Sequence, residues 1–145
     1  MYSLYSSATM SKRFEDDILE AVSSFARRMW GPAAVKLSTE RQDKHEGTDI
    51  SVLGVPIDVT LNYGMKDKMR QVDEIRLDWL TVRLGIRFGN KYADFRTPVL
   101  VIGVESLAEI YMGNLWLAID ALKERIGDIL EAGFDRYFVA TEAAA

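Results

Sequence analysis

The chain of 145 residues contains no cysteine and a single histidine, His45. Without thiols there is no disulfide framework, no zinc-thiolate centre and no thiol nucleophile. One imidazole leaves too little to build a histidine zinc site or a serine–histidine triad. Such a chain suits a reducing cytoplasm, and any chemistry falls to carboxylates, lysines and hydroxyls. Proline is also scarce, with three residues in all. No proline-rich linker, internal repeat or low-complexity tract divides the chain, so 1–145 reads as one domain, with 1–10 and 141–145 expected to fray. No apolar run approaches the length of a membrane span, and the N-terminal stretch lacks an apolar core ahead of Lys12-Arg13, so neither a span nor a signal peptide is expected. Basic charge is in deficit: 18 lysines and arginines against 22 acidic residues give −4. That excludes a uniformly basic nucleic-acid coat and leaves room for a local basic patch.

What is present is an ordinary globular composition, 48% hydrophobic and 28% charged. From Ser11 to Trp30 the apolar residues Phe14, Ile18, Ala21, Val22, Phe25, Ala26 and Met29 recur at three- and four-residue steps, and Gly31-Pro32 supplies a stop, so a helix is predicted. A short strand is expected at 34–37, then a loop to Gly47. The runs 48–53 and 55–61 alternate, are rich in β-branched residues and flank Gly54, which reads as a hairpin. A charged loop around Lys66, Asp67 and Lys68 follows. Residues 80–88 alternate as a strand with one wet face, and 98–104 is apolar on both faces, as a central strand would be. Leu115, Ile119, Leu122, Ile126, Ile129 and Leu130 predict a helix ending at Gly133 as a C-cap, and 137–140 reads as a last short strand. The class is therefore α/β, a mixed central sheet flanked by helices.

Both hairpin strands carry an aspartate among apolar neighbours, Asp49 and Asp58. A carboxylate on an apolar strand needs a partner or a metal. A tight turn at Gly54 sets the two strands side by side, an arrangement that suits Mg²⁺, which takes one or two carboxylates, a carbonyl and several waters. Such an ion polarises a phosphoryl oxygen and activates bound water. The plainer alternative is that the aspartates cap turns or pair with a nearby cation.

The first helix with Lys12-Arg13-Phe14-Glu15-Asp16-Asp17-Ile18, then Gly47-Thr48-Asp49-Ile50, a glycine turn, Ile57-Asp58-Val59-Thr60 and the later Pro98-Val99-Leu100-Val101-Ile102 together resemble the PD-(D/E)XK nuclease superfamily. Within it the layout is most similar to the small archaeal Holliday-junction resolvases. The resemblance implies a restriction-endonuclease-like core and a site for Mg²⁺ or Mn²⁺. Asp49 and Asp58 would be its ligands with the carbonyl of Val59, and Glu15 would be the helix carboxylate; Glu20 is the alternative if the helix register differs. It also implies phosphodiester hydrolysis of DNA by a homodimer. Thr60 stands where the superfamily has its lysine, and a neutral hydroxyl cannot offset developing charge as an ammonium does. Lys66 or Lys68 could take over that role from the following loop, or be plain solvated charges. With Thr60 in place, the second expectation is an inactive nuclease-fold module that binds protein or nucleic acid, in a phage or defence context.

Charge is unevenly spread. Residues 66–96 hold eight basic against five acidic residues, whereas 105–145 sum to −5. Arg83 and Arg87 share one face of their strand by alternation. With Lys66 and Lys68 they form a candidate track for a nucleic-acid backbone, or the wet, protected side of an edge region. Tyr111, Met112, Leu115 and Trp116 widen the apolar face of the last helix, as core or as a dimer surface.

Overall fold

The computed structural model describes residues 7–37, 50–61, 69–77, 80–89, 94–104 and 112–144. Helix α1 is Ser7–Trp30. A single 3₁₀ turn, Pro32–Ala34, leads into strand β1, Val35–Leu37. Then come β2 (Ile50–Val52), β3 (Val55–Leu61), β4 (Met69–Leu77), β5 (Leu80–Gly89) and β6 (Asp94–Val104). Helices α2 (Met112–Glu124) and α3 (Ile126–Ala144) close the described chain. The protein is α/β, with a six-stranded mixed sheet in the order β1-β2-β3-β6-β5-β4. Only the β3–β6 pair is parallel; the other neighbours are antiparallel. No helix among the described residues is long and apolar enough to cross a membrane.

One core gathers residues of all three helices and one face of each long strand. Phe14, Ile18, Val22 and Ala26 of α1 join Ile119, Leu122, Ile129 and Leu130 of α2 and α3 over the sheet. Register aligns the sheet side in rows, Ile57 beside Leu100 beside Ile86, and Val59 beside Ile102 beside Leu84. Because strand side chains alternate, the intervening residues project from the opposite face. Val99 and Val101 of β6 are buried there as well, at 1% and 0% exposure, so the apolar run on both faces marks the inner strand as its composition predicts.

The hairpin turn follows from its residues. Val52 pairs with Val55, so Leu53-Gly54 is a two-residue loop. Both have positive φ, 51° and 81°, as the turn that matches strand twist requires. At the end of α1, Gly31 adopts φ 93°, open to glycine and unfavourable to other residues.

The structure adds one strand and corrects three expectations. Residues 69–77, for which no element is predicted, form β4. A register shift between Gln71 and Asp73 breaks its alternation, so Met69, Val72, Ile75 and Leu77 lack a two-residue period. The predicted single helix from Leu115 to Gly133 is two helices that break at Arg125, whose N–H donates to the Leu122 carbonyl in a tight turn. Gly133 is no cap but lies inside α3, and residues 137–140, read as a strand, are helical. A Cβ at Gly133 would stand 3.0 Å from the Leu100 side chain, so glycine lets α3 lie close on β6. Residues 7–10 and 141–144 form the outer ends of α1 and α3.

Candidate functional site

On the face away from the helices, β3, β6 and β5 present a row of Asp58, Val101 and Gly85, and next to it a row of Thr60, Gly103 and Arg83. Asp58 projects here because its neighbours Ile57 and Val59 turn into the core. Arg87, on β5 opposite Val99, reaches across the inner strand to Asp58, with Nη1 donating to Oδ2 at 3.0 Å. Two strand spacings, about 10 Å, separate β5 from β3. The methylene stem of Arg87 must therefore pass over β6, burying itself on the valines while its head meets the carboxylate. The Arg87 side chain is 10% exposed and that of Asp58 21%. Charges so far from water are tolerated because they are paired.

Further along the same face, Arg83 lies directly across from Glu74. Its Nη1 donates to Oε2 of Glu74 at 2.8 Å and to Oε1 of Gln71 at 3.3 Å. The other Glu74 oxygen accepts from Nε of Arg76 at 3.2 Å, so one carboxylate serves two guanidiniums. The Arg76 side chain, 82% exposed, carries the excess positive charge into solvent. The expected common face of Arg83 and Arg87 is therefore real, but only part of it is wet. Arg83 keeps some exposure, whereas Arg87 is buried against Asp58.

The remaining expected site residues divide. Asp49, Lys66 and Lys68 lie outside the described residues, as do His45, Glu46 and the side chains of Tyr111, Met112, Leu115 and Trp116. Glu15 is half-buried on α1, in the helix layer, while Asp58 leaves the sheet on the opposite face. The structure therefore does not bring these two carboxylates together. Glu20 is exposed beside a cleft of about 280 Å³ between α1 and the α2–α3 junction, shared with Asp17, Arg28 and Lys123. Val59 is buried on β3, and Thr60, two residues on from Asp58, is half-buried on the same face as that carboxylate.

The fit of a divalent metal can be judged at Asp58. An Mg²⁺ ion needs oxygen ligands, and at Asp58 one of the two carboxylate oxygens already accepts from a guanidinium. Among the described residues, no three acidic or histidine side chains are grouped to hold an ion. Of the expected carboxylate ligands, Asp49 lies outside the described residues, Glu15 sits on the other side of the sheet, and Asp58 has its Oδ2 engaged by Arg87.

Sequence reasoning found Asp58 but missed its partner. Arg87 was assigned to a solvent-facing track, and only the strand order brings residues 58 and 87 together. No known family model matches the chain, and no curated protein or solved structure was found to resemble it.

Proposed function

We propose that the chain is a nuclease-like module of the PD-(D/E)XK layout that binds a nucleic-acid backbone without cleaving it. The observation that carries this reading is the 3.0 Å pair between Asp58 and Arg87. The carboxylate that the motif would assign to a metal serves here as the counter-ion of a buried arginine. Thr60 at the motif's lysine position agrees with the loss of hydrolysis. Support for the layout comes from the order of helix, three antiparallel strands and a later strand parallel to the motif strand. Arg83 and Arg76, sharing one carboxylate, supply a partly exposed positive edge for phosphates.

Fluorescence anisotropy with labelled duplex and branched DNA tests the binding, and gel analysis of the same mixtures with Mg²⁺ or Mn²⁺ tests the cleavage. Expected are binding that weakens as salt rises, weaker binding in Arg76→Gln, and intact DNA throughout. Cleavage in Mn²⁺ that disappears in Asp58→Asn would overturn the reading in favour of metal-dependent phosphodiester hydrolysis, with Lys66 or Lys68 in the role of the missing lysine. Absence of any DNA binding at low salt would overturn it too.

A further inference from the structure

The end of α1, the 3₁₀ turn and the β2–β3 turn meet at one corner, joined in series by backbone hydrogen bonds. The Gly31 N–H donates to the Arg27 carbonyl at 2.9 Å, that of Ala34 to Gly31 at 3.1 Å, and that of Leu53 to Ala34 at 2.8 Å. This corner exposes three large apolar side chains, Met29 at 59%, Trp30 at 41% and Leu53 at 50%. Arg27 and Lys36 are exposed on the same stretches, while Arg28 turns back along α1, its Nε donating to the Ser24 carbonyl at 3.4 Å. Neither stretch that builds the corner, residues 25–37 or 50–57, contains an acidic residue.

Leu53 is the telling member. Its φ of 51° places a leucine in the left-handed region, where this turn favours asparagine, aspartate or glycine. The turn gains nothing from leucine, and the side chain is half in solvent instead of in the core. A residue kept at a conformational cost with its apolar surface outward points to a contact made by that surface. Trp30 is braced for such a contact, edge-on to Phe25 at 6.1 Å and tilted on Phe134 at 5.9 Å.

We propose that this corner docks on an anionic lipid surface. Apolar tips enter the boundary between headgroups and acyl chains while the adjacent cations meet the phosphates. The indole ring, apolar with one polar edge, suits that boundary. A nucleic acid would make less of these groups, because Met29 and Leu53 offer neither stacking planes nor hydrogen bonds to bases. Orientation follows from the opposite charge on α3. Exposed Asp128, Glu131, Asp135 and Glu142 repeat at helical spacing on its outer side, which keeps the helix layer off an anionic surface and leaves a corner-first approach. This surface is separate from the Asp58–Arg87 face, so the proposal stands or falls independently of nucleic-acid binding.

Co-sedimentation of the full chain with vesicles of phosphatidylcholine plus phosphatidylglycerol, against pure phosphatidylcholine, tests it. Binding is expected to the anionic vesicles alone. Each of Arg27→Gln and Lys36→Gln lowers the affinity about fivefold. Leu53→Asn lowers it by a similar factor while unfolding at a higher urea concentration, because asparagine tolerates the turn's positive φ; a folding defect therefore cannot explain the loss. Phe138→Ser, which removes an exposed apolar side chain on α3, leaves binding unchanged. Equal binding to both vesicle types, no binding to either, unchanged affinity in Leu53→Asn, or an equal loss in Phe138→Ser would each overturn the proposal. Loss of duplex DNA affinity in Leu53→Asn, without any vesicle binding, would assign the corner to the nucleic-acid surface instead.

Discussion

Asp58 shows how a single residue can be conspicuous in a sequence while its role stays hidden. A carboxylate at an alternating position between Ile57 and Val59 announces a partner, because an unpaired charge on an otherwise apolar strand is costly. The partner is Arg87, 29 residues away, and nothing local to either residue names the other. They meet because β6 inserts between β3 and β5 with Val99 and Val101 beneath the arginine stem. A structural pair of this kind has a testable energetic signature. Asp58→Val removes the carboxylate partner of the buried guanidinium and should cost about 3 kcal/mol of unfolding free energy, as breaking a buried pair does. Arg87→Leu should cost a comparable amount by stranding the carboxylate. The double variant Asp58→Val with Arg87→Leu should recover much of both losses, since an apolar pair on the inner strand avoids desolvating two charges. Urea titration of the four proteins gives the coupling, and additive losses would show that the pair is not a unit.

At the scale of elements, legibility tracked the regularity of the repeat. Helix α1, the β2–β3 hairpin and residues 80–88 of β5 each keep one period, and residues 98–104 of β6 form an unbroken apolar run; each was legible. Strand β4 was not, because its bulge shifts the alternation midway, so that Val72, Ile75 and Leu77 reach the same core from irregular spacing. The same bulge guards an exposed sheet edge. Asp73 bends back so that its Oδ1 accepts the Glu74 N–H at 2.8 Å, and its Oδ2 accepts from Nε of Arg136 on α3 at 3.3 Å. A backbone donor at the edge strand is thereby occupied, one device by which sheet edges escape pairing with other chains. The C-terminal misreading has a different origin. Phe134, Tyr137, Phe138 and Val139 favour strands by composition, but Leu130, Gly133 and Tyr137 continue a helical stripe onto the sheet. Gly133 looked like a stop because glycine usually ends helices, whereas here it clears space for Leu100, which is fully buried. Gly133→Ala gains about 1 kcal/mol of helix propensity. It also drives a methyl against an immobile core leucine, and overpacking of that kind costs about 1–3 kcal/mol. A net loss of about 1 kcal/mol in urea or thermal unfolding is therefore expected; a gain would mean that α3 shifts freely over β6.

For the whole molecule, composition and element order were enough to establish the α/β class and the inner position of β6. They were not enough to establish strand order or which face the helices cover, because both depend on contacts far apart in the chain. The two layers are tied near the middle of β6 by Tyr137, whose hydroxyl donates to the Pro98 carbonyl at 2.8 Å. Burial pushes the Tyr137 hydroxyl above its ordinary pKa of 10.0. The sign of the consequence follows from proton counting. Above about pH 10 the unfolded tyrosine has released its proton while the folded one retains it, so the unfolded state gains from each further rise in pH. The contribution of Tyr137 is full below that point and is lost as pH climbs through the folded value. Tyr137→Phe removes the hydroxyl and leaves the Pro98 carbonyl without that donor, which should cost about 1–2 kcal/mol at neutral pH. Phenylalanine does not ionise, so the variant escapes this part of the alkaline decline. The stability gap between the two proteins should therefore narrow as pH rises above about 10. Urea unfolding of both proteins across the alkaline range measures that gap directly. A gap that stays constant would mean that Tyr137 ionises as readily in the folded chain as in the unfolded one, and that its burial between α3 and β6 does not hold the layers together at high pH.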